Sequence, residues 1–351
     1  MRRLATLGPA SLLALLASVG ASLPAPPAQA AASAPAQAPA RKLTAADWDA
    51  AAQQRVLGAG LMSDEGAAGF AGAGELSPQA DAAALAALGA REELPPVAVP
   101  ASQPLTVVRF DALLVEQLGL GAVAEHVEQV ARAAGLEPPS YFGGEVVARY
   151  LELRYEHPVG EQKLDLYPWS PITRAEAAHS FAVALEAGGW ALAAAREALS
   201  SFELPRYDAA QLEVLRLAVS KIGMPYVWGG TTDDTADGLE HGGYDCSGFI
   251  WRVYKVSGFS WGKQILGRTA AQQAGEIPKS QRIPLAQVQP GDLLFFGSAH
   301  FDSTATEANV IHEGLALSGQ WAIHSSGQGV YVLPLSSGWL ASSFAWARRV
   351  L

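Results

Sequence analysis

A single cysteine, Cys246, in a chain of 351 residues limits the possible folds more than any other feature. It excludes an internal disulfide framework and any multi-cysteine metal site, so packing must hold the fold together. Half of the residues are hydrophobic and 17% are charged. That supplies ample core material and too little charge for wholesale disorder. At roughly 150 residues per domain, the length suggests two domains behind a targeting segment. The formal charge of −10 argues against a nucleic-acid binder.

Residues 1–30 read as a secretory signal. Arg2 and Arg3 open it, Leu12-Leu13-Ala14-Leu15-Leu16 is apolar, and Ala28-Gln29-Ala30 is a small-x-small cleavage site. Pro9, Gly20 and Pro24 break the apolar stretch, which makes it a poor permanent membrane span, and no later segment reaches about 18 uncharged apolar residues. Cleavage removes two arginines and takes the formal charge from −10 to −12. Residues 31–42 read as a flexible tether. Export gives Cys246 a meaning, because oxidising compartments consume idle thiols; it is either buried or used.

Residues 43–187 look all-helical. Three turns each lead into an amphipathic helix: Leu76-Ser77-Pro78-Gln79 into Ala80–Leu88, Pro104-Leu105-Thr106 into Phe110–Leu118, and Ser170-Pro171-Ile172-Thr173 into Arg174–Leu185. Thr173 with Glu176 predicts a capping box. The phrase Pro171-Ile172-Thr173-Arg174-Ala175-Glu176 resembles the second helix of S-layer homology repeats, and Leu105-Thr106 does so more loosely. The resemblance implies about three degenerate copies and binding of cell-wall polysaccharide, with Arg174 the one residue matching the family's groove. Two other readings stand beside it: a packing module without a ligand, and a cover over a catalytic cleft. Residues 188–207 read as a linker.

Residues 208–351 carry the chemistry. A helix is expected from Ala209 to Ile222, ending at Gly223 as its C-cap. After an aromatic turn at Pro225–Gly230 and an acidic loop, Tyr244-Asp245-Cys246-Ser247-Gly248 runs into Phe249, Ile250, Val253 and Tyr254 at helical spacing. Cys246 is thus expected at a helix start, where the dipole lowers a thiol pKa and flanking amides can hold an oxyanion. A base is expected downstream. Val310–Leu317 and Trp321–His324 read as paired strands around a Ser318-Gly319-Gln320 turn. That pairing places His312 and His324 on one face, opposed or diagonal. His126, His157, His179 and His241 have ordinary structural readings, and His300, in a polar loop, is the competing candidate. One cysteine and two histidines at these spacings match no common zinc site.

At this point the sequence resembles the NlpC family of papain-like cysteine endopeptidases, over residues 209–350. The matching blocks are Gly223–Gly230, Tyr244–Ile250, Arg268-Thr269, Gln289–Phe296, His312–Leu315 and Ile323–Ser326. The resemblance implies an α+β papain-like (NlpC-type) catalytic domain following the all-α, S-layer-homology-like region. It implies Cys246 as nucleophile, His312 as base and His324 as its orienting partner, with Tyr226, Asp245 and Ser247 lining the substrate groove. The substrate it implies is the peptidoglycan stem peptide, cut between D-glutamate and the diamino acid, with no metal or other cofactor. Glu313 departs from the family's apolar residue after the base; pointing away from His312, it is expected to matter little. The long loop from Ser298 to Asn309 is read as a wall of the groove. An amidase or acyltransferase on the same scaffold, and a non-catalytic wall-binding protein, remain alternatives.

Overall fold

The computed structural model describes residues 48–351 except 102, 159, 236–238, 240 and 299–308. The expected signal, the tether and His300 lie outside the described residues, as does most of the Ser298–Asn309 loop.

Seven helices come first: α1 (Ala50–Gly58), α2 (Pro78–Arg91), α3 (Val107–Gln117), α4 (Gly121–Ala133), α5 (Phe142–Tyr150), α6 (Arg174–Glu186) and α7 (Gly188–Ser200). Local chemistry starts them. The Ser77 hydroxyl accepts from Ala80 N–H, with Pro78 in the first turn of α2, and the Thr173 hydroxyl accepts from Glu176 N–H at α6. The expected capping box at α6 is only half formed. Glu176 turns inward instead, its carboxylate 3.2 Å from Arg154 and 3.4 Å from His157. A buried ion pair has overridden the local cap.

The three turns read as repeat starts meet in the structure. Leu76 N–H donates to the Ile172 carbonyl, Ile172 N–H to that of Leu105, and Val107 N–H to that of Ser170. Single β-bridges join Glu75 to Thr173 and Thr106 to Pro171. Backbone pairing between segments 63 to 98 residues apart needs each turn to expose its amides at the same place.

Helix α8 (Ala209–Val219) opens with a full Asp208–Gln211 capping box. It ends earlier than expected, at Val219, and Gly223 serves the following turn with φ of 81°. A two-stranded ribbon, β1 (Thr231–Thr232) and β2 (Gly243–Tyr244), leads to α9 (Cys246–Ile250), which continues as a π-helix over Trp251–Val256. Next come α10 (Ala270–Gly275), then β3 (Leu293–Gly297), β4 (Val310–Ala316), β5 (Trp321–Ser326), β6 (Gly329–Pro334), α11 (Gly338–Ser343) and β7 (Phe344–Arg348). The antiparallel sheet has the order β6-β5-β4-β3-β7.

Strand alternation gives the sheet two buried faces. Leu293, Phe295, Leu315, Ile323, Val330, Val332 and Trp346 join the core formed with the helices. Leu294, Phe296, Ala316, Ala322 and Ala347 form a smaller cluster with Leu335 and Leu340. The larger core runs without a break from Val56 on α1 to the sheet. Segment 188–207, expected as a linker, is part of it. Leu192, Ala195 and Leu199 of α7 are buried, and Phe202 meets Trp321 edge-on at 4.8 Å. Buried Arg149 on α5 adds a polar tie. It donates to Glu145 at 3.0 Å and to the Gly223 carbonyl at 3.2 Å, at the entry to the C-terminal half.

Candidate active site

The turn before α9 is built around Asp245. Its Oδ1 accepts from Gly248 N–H, capping the helix, and from the Ser247 hydroxyl; its Oδ2 accepts from Gly229 N–H at 2.9 Å. Arg268 closes the arrangement with Nη1 and Nη2 each 3.0 Å from one carboxylate oxygen. Its Nη1 also donates to Ser247 Oγ at 2.8 Å. A planar guanidinium suits this fork geometry, which a lysine cannot reproduce. The spot tolerates no side chain at 248, because a Cβ there would collide with the Gly230 carbonyl. Cys246 is therefore held at the first position of α9, as expected.

The histidines come from the sheet. Leu315 pairs with Ile323 and Ala316 with Ala322, so His312 and His324 are diagonal neighbours on one face. His312 Nε2 lies 2.9 Å from His324 Nδ1. Gly314 makes room, since a Cβ there would stand 3.0 Å from that of His324. Phe296 and Trp339 pack near the His312 ring, and Tyr331 near that of His324. Glu313 takes the opposite face, opposite Phe295 in the register.

Cys246 and His312 line one groove of about 820 Å³, together with Tyr226, Asp245, Ser247 and Arg268. Exposed Trp228 and Ile311 also line it. The structure thus brings together five of the expected groove residues: Cys246, His312, Tyr226, Asp245 and Ser247. His324 stands behind His312, buried. Arg268 stands in one of the matching blocks with no role expected of it; its signal is a cation next to the α10 cap residue Thr269, and nothing in the spacing ties it to Asp245.

Arg174 lies elsewhere, with 3% exposure. Its Nε donates to the Phe70 carbonyl at 2.8 Å, its Nη2 to the Ser63 carbonyl, its Nη1 pairs with Glu65, and its plane covers the Phe70 ring. The expected glycan contact gives way to an internal tie, because α6 turns this side chain into the 63–74 segment.

Electrostatics correct a second expectation. Burial pushes the Cys246 thiol up to about 12, with Glu313 and Asp245 adding to the rise; the backbone amides of Glu313 and Ser247 pull the other way. Burial pulls His312 down to about 4 and His324 well below its ordinary value, with His312 adding to the latter. The resting site is thus a neutral thiol beside neutral imidazoles, not the low-pKa thiol expected from the helix start. A five-residue helix has a weak dipole, and loss of water outweighs it. The Tyr226 phenol is likewise raised by burial, with Cys246 next, and stays a donor.

A thiol at a helix start, a buried imidazole sharing its groove, and a second imidazole behind the first make this groove the candidate nucleophilic site. In comparison with known proteins, residues 223–349 match the NlpC/P60 family. That segment makes up about a third of the chain, and relatives that share it are named as peptidases and endopeptidases. The chain is 29% identical over 126 residues to a gamma-D-glutamyl-L-lysine dipeptidyl-peptidase of Bacillus subtilis, covering 35% of this chain and 36% of the relative. It is 29% identical over 132 residues to the probable peptidoglycan endopeptidase LytE of the same organism, covering 38% and 32%. It spans about a third of the length of these curated relatives. The crystal structure of the NlpC/p60 domain of the peptidoglycan hydrolase SagA shares 29% identity, covering 40% of this chain and 97% of that one, with a TM-score of 0.30.

Proposed function

We propose that this chain is an exported cell-wall hydrolase, a cysteine endopeptidase that cleaves peptidoglycan stem peptides at the D-glutamyl–diamino acid bond. The observation that carries the reading is the 2.9 Å contact between His312 and His324 behind a groove shared with Cys246. With Nε2 engaged by His324, Nδ1 of His312 is the nitrogen left to exchange a proton with the thiol. His312 takes the Cys246 proton as the sulfur attacks the amide carbonyl. The same proton then passes to the leaving amine as the C–N bond breaks. Water, deprotonated by His312, attacks the thioester, releases the acid and restores the thiol. His324 holds the imidazole in register, the role a carboxylate or amide fills in other triads.

The specific bond is supported by the name of the gamma-D-glutamyl-L-lysine dipeptidyl-peptidase, and the peptidoglycan substrate by that of LytE. Export is supported by the composition of residues 1–30; among the described residues, no helix is long and apolar enough to cross a membrane. Asp245, Ser247, Arg268 and Tyr226 form the polar end of the groove, suited to a short charged peptide. The S-layer-homology-like reading of residues 43–187 is supported by the meeting of their three turns, whereas the filled donors of Arg174 favour a packing role for that residue.

The test is digestion of purified peptidoglycan by the full chain, with mass analysis of the fragments. New amino termini on the diamino acid are expected. Release of only small amides or lipid amides, with the wall left intact, overturns the reading in favour of an amidase or acyltransferase.

A further inference from the structure

His312 and His324 stand where the sheet parts. Pairing of β4 with β5 stops at Leu315 and Ile323. Each histidine is held from its outer side instead: His312 lies opposite Phe296 on β3, and His324 opposite Tyr331 on β6. Among the described residues no backbone ladder joins the two, so the 2.9 Å contact between His312 Nε2 and His324 Nδ1 depends on side-chain packing. One hydrogen bond fixes a direction and leaves the imidazole free to turn about it.

Trp339, on α11, supplies packing from outside these strands. Its ring centre lies 5.3 Å from that of His312, inclined at 70°, and 5.7 Å from that of Phe296. The first is an edge-to-face contact, the geometry aromatic pairs favour at this separation. Leu340, the next residue, is buried in one cluster with Phe296, and the Ser342 and Ser343 hydroxyls donate to the Trp339 carbonyl. The short helix is thereby anchored with its indole against the base. Trp339 remains 48% exposed, whereas His312 is 8% exposed. A scattered surface tryptophan is ordinary; this one has solvent on one side and the base on the other.

Among the described residues, β3, α10 and α11 bring no ionisable side chain to His312. From β5 comes His324, with Tyr331 of β6 packed on it, and from α9 come Cys246 and its cap Asp245. Tyr226 and Arg268 line the same groove, and Glu313 of β4 points to the other face. Burial is what holds His312 down at about 4.

We propose that Trp339 is a positioning residue for the base: its indole wedges the His312 ring into one orientation and keeps water off it. The inference rests on His312 being the base of the proposed reaction, not on the identity of the substrate.

Imidazole C–H resonances follow the titration of His312 in the full chain, in Trp339→Ala and in Trp339→Phe, with His312→Ala assigning the signal. Wild type and Trp339→Phe are expected to titrate near pH 4. Water admitted by Trp339→Ala should raise the midpoint by about one unit or more toward the ordinary 6.5, and the acid limb of kcat/KM on stem peptides should move with it. Its kcat should fall about tenfold with KM little changed, because the base and not the substrate has lost its support. An unmoved His312 midpoint in Trp339→Ala overturns the proposal. An equal shift in Trp339→Phe also overturns it, since an aromatic ring at 339 would then make no difference. If Trp339→Ala fails to fold, Trp339→Gln, a residue suited to a half-exposed helix position, replaces it with the same two outcomes. Because the resonance titration uses no peptidoglycan, a failed substrate assignment leaves this readout intact.

Discussion

Two arginines mark the difference between the halves of this molecule. Arg174 in the helical half is 3% exposed; each of its three nitrogens meets a carbonyl or a surface glutamate, and its plane covers an aromatic ring. Arg268 in the catalytic half keeps 31% of its side chain exposed while forking onto Asp245 at the groove. The helical half repeats the first pattern. Arg149, Arg154, His157, Asp111, Glu145, Asp165 and Glu176 are buried in a network that ties α3, α5 and α6 to the strand entry. The groove instead holds uncharged Cys246 and His312 where a ligand can reach them. Buried ionisable groups occur in both halves, so burial alone does not mark a site. An opening to solvent beside groups able to exchange a proton does.

The largest expected effect breaks the groove alone. Cys246→Ala and His312→Ala should each reduce stem-peptide hydrolysis below detection while the circular dichroism spectrum and thermal midpoint stay near wild type. Wild-type turnover by either variant would remove the cysteine mechanism. His324→Asn should retain measurable turnover, since an amide can still hold the imidazole.

Exchanging the arginines tests the comparison directly. Arg268→Ala should lower kcat/KM by about tenfold to a hundredfold, because Asp245 loses its fork and the α9 start loosens. Arg174→Ala should leave kcat/KM unchanged and cost about 2–3 kcal/mol of stability, read by denaturant titration. The reverse assignment of effects would place the ligand site in the helical half.

A further test uses pH. His312 titrates at about 4 when buried, below its ordinary 6.5. Its base form is populated above the folded value, so kcat/KM should persist down to about pH 4 and fall below it. An acid limb centred near pH 6.5 would mean that the groove is far wetter than the structure shows. The neutral imidazole also links to folding. The unfolded chain takes up this proton first, so stability declines as pH drops from 6.5 toward about 4.

An effect confined to high pH belongs to Asp81, buried in the first turns of α2 with neither oxygen hydrogen-bonded among the described residues. Burial lifts it to about 7 from 3.8. The folded state therefore holds this proton more tightly, and stability falls as pH rises between those values. Asp81→Asn should stabilise the protein at pH 8 by about 2–3 kcal/mol, with the gain vanishing below about pH 4. A destabilised variant at pH 8 would show that the carboxylate is paired in solution.

Much of the site was legible because it is local. Asp245 before Cys246 is a cap three residues from Gly248, and strand alternation with a short turn places His312 and His324 on one face. The α6 cap was half right, since Thr173 caps as expected while Glu176 answers to Arg154 on another segment. The expected end of α8 at Gly223 failed for a similar reason. Gly223 N–H is taken by the Val330 carbonyl and its own carbonyl by Arg149, contacts more than seventy residues away.

The order of elements, the cap before the nucleophile and the strand phase of the histidines follow from residues within a few positions of one another, where backbone geometry leaves few alternatives. Tertiary structure alone decided the rest: that Arg174 is spent inside the helical half, that Arg268 joins Asp245, that Leu192, Ala195, Leu199 and Phe202 of the 188–207 segment are core, and that Cys246 rests as a thiol. Each depends on how much water and which distant partner surrounds a charged or polar group. Those are properties of the packed interior, and no run of neighbouring residues carries them.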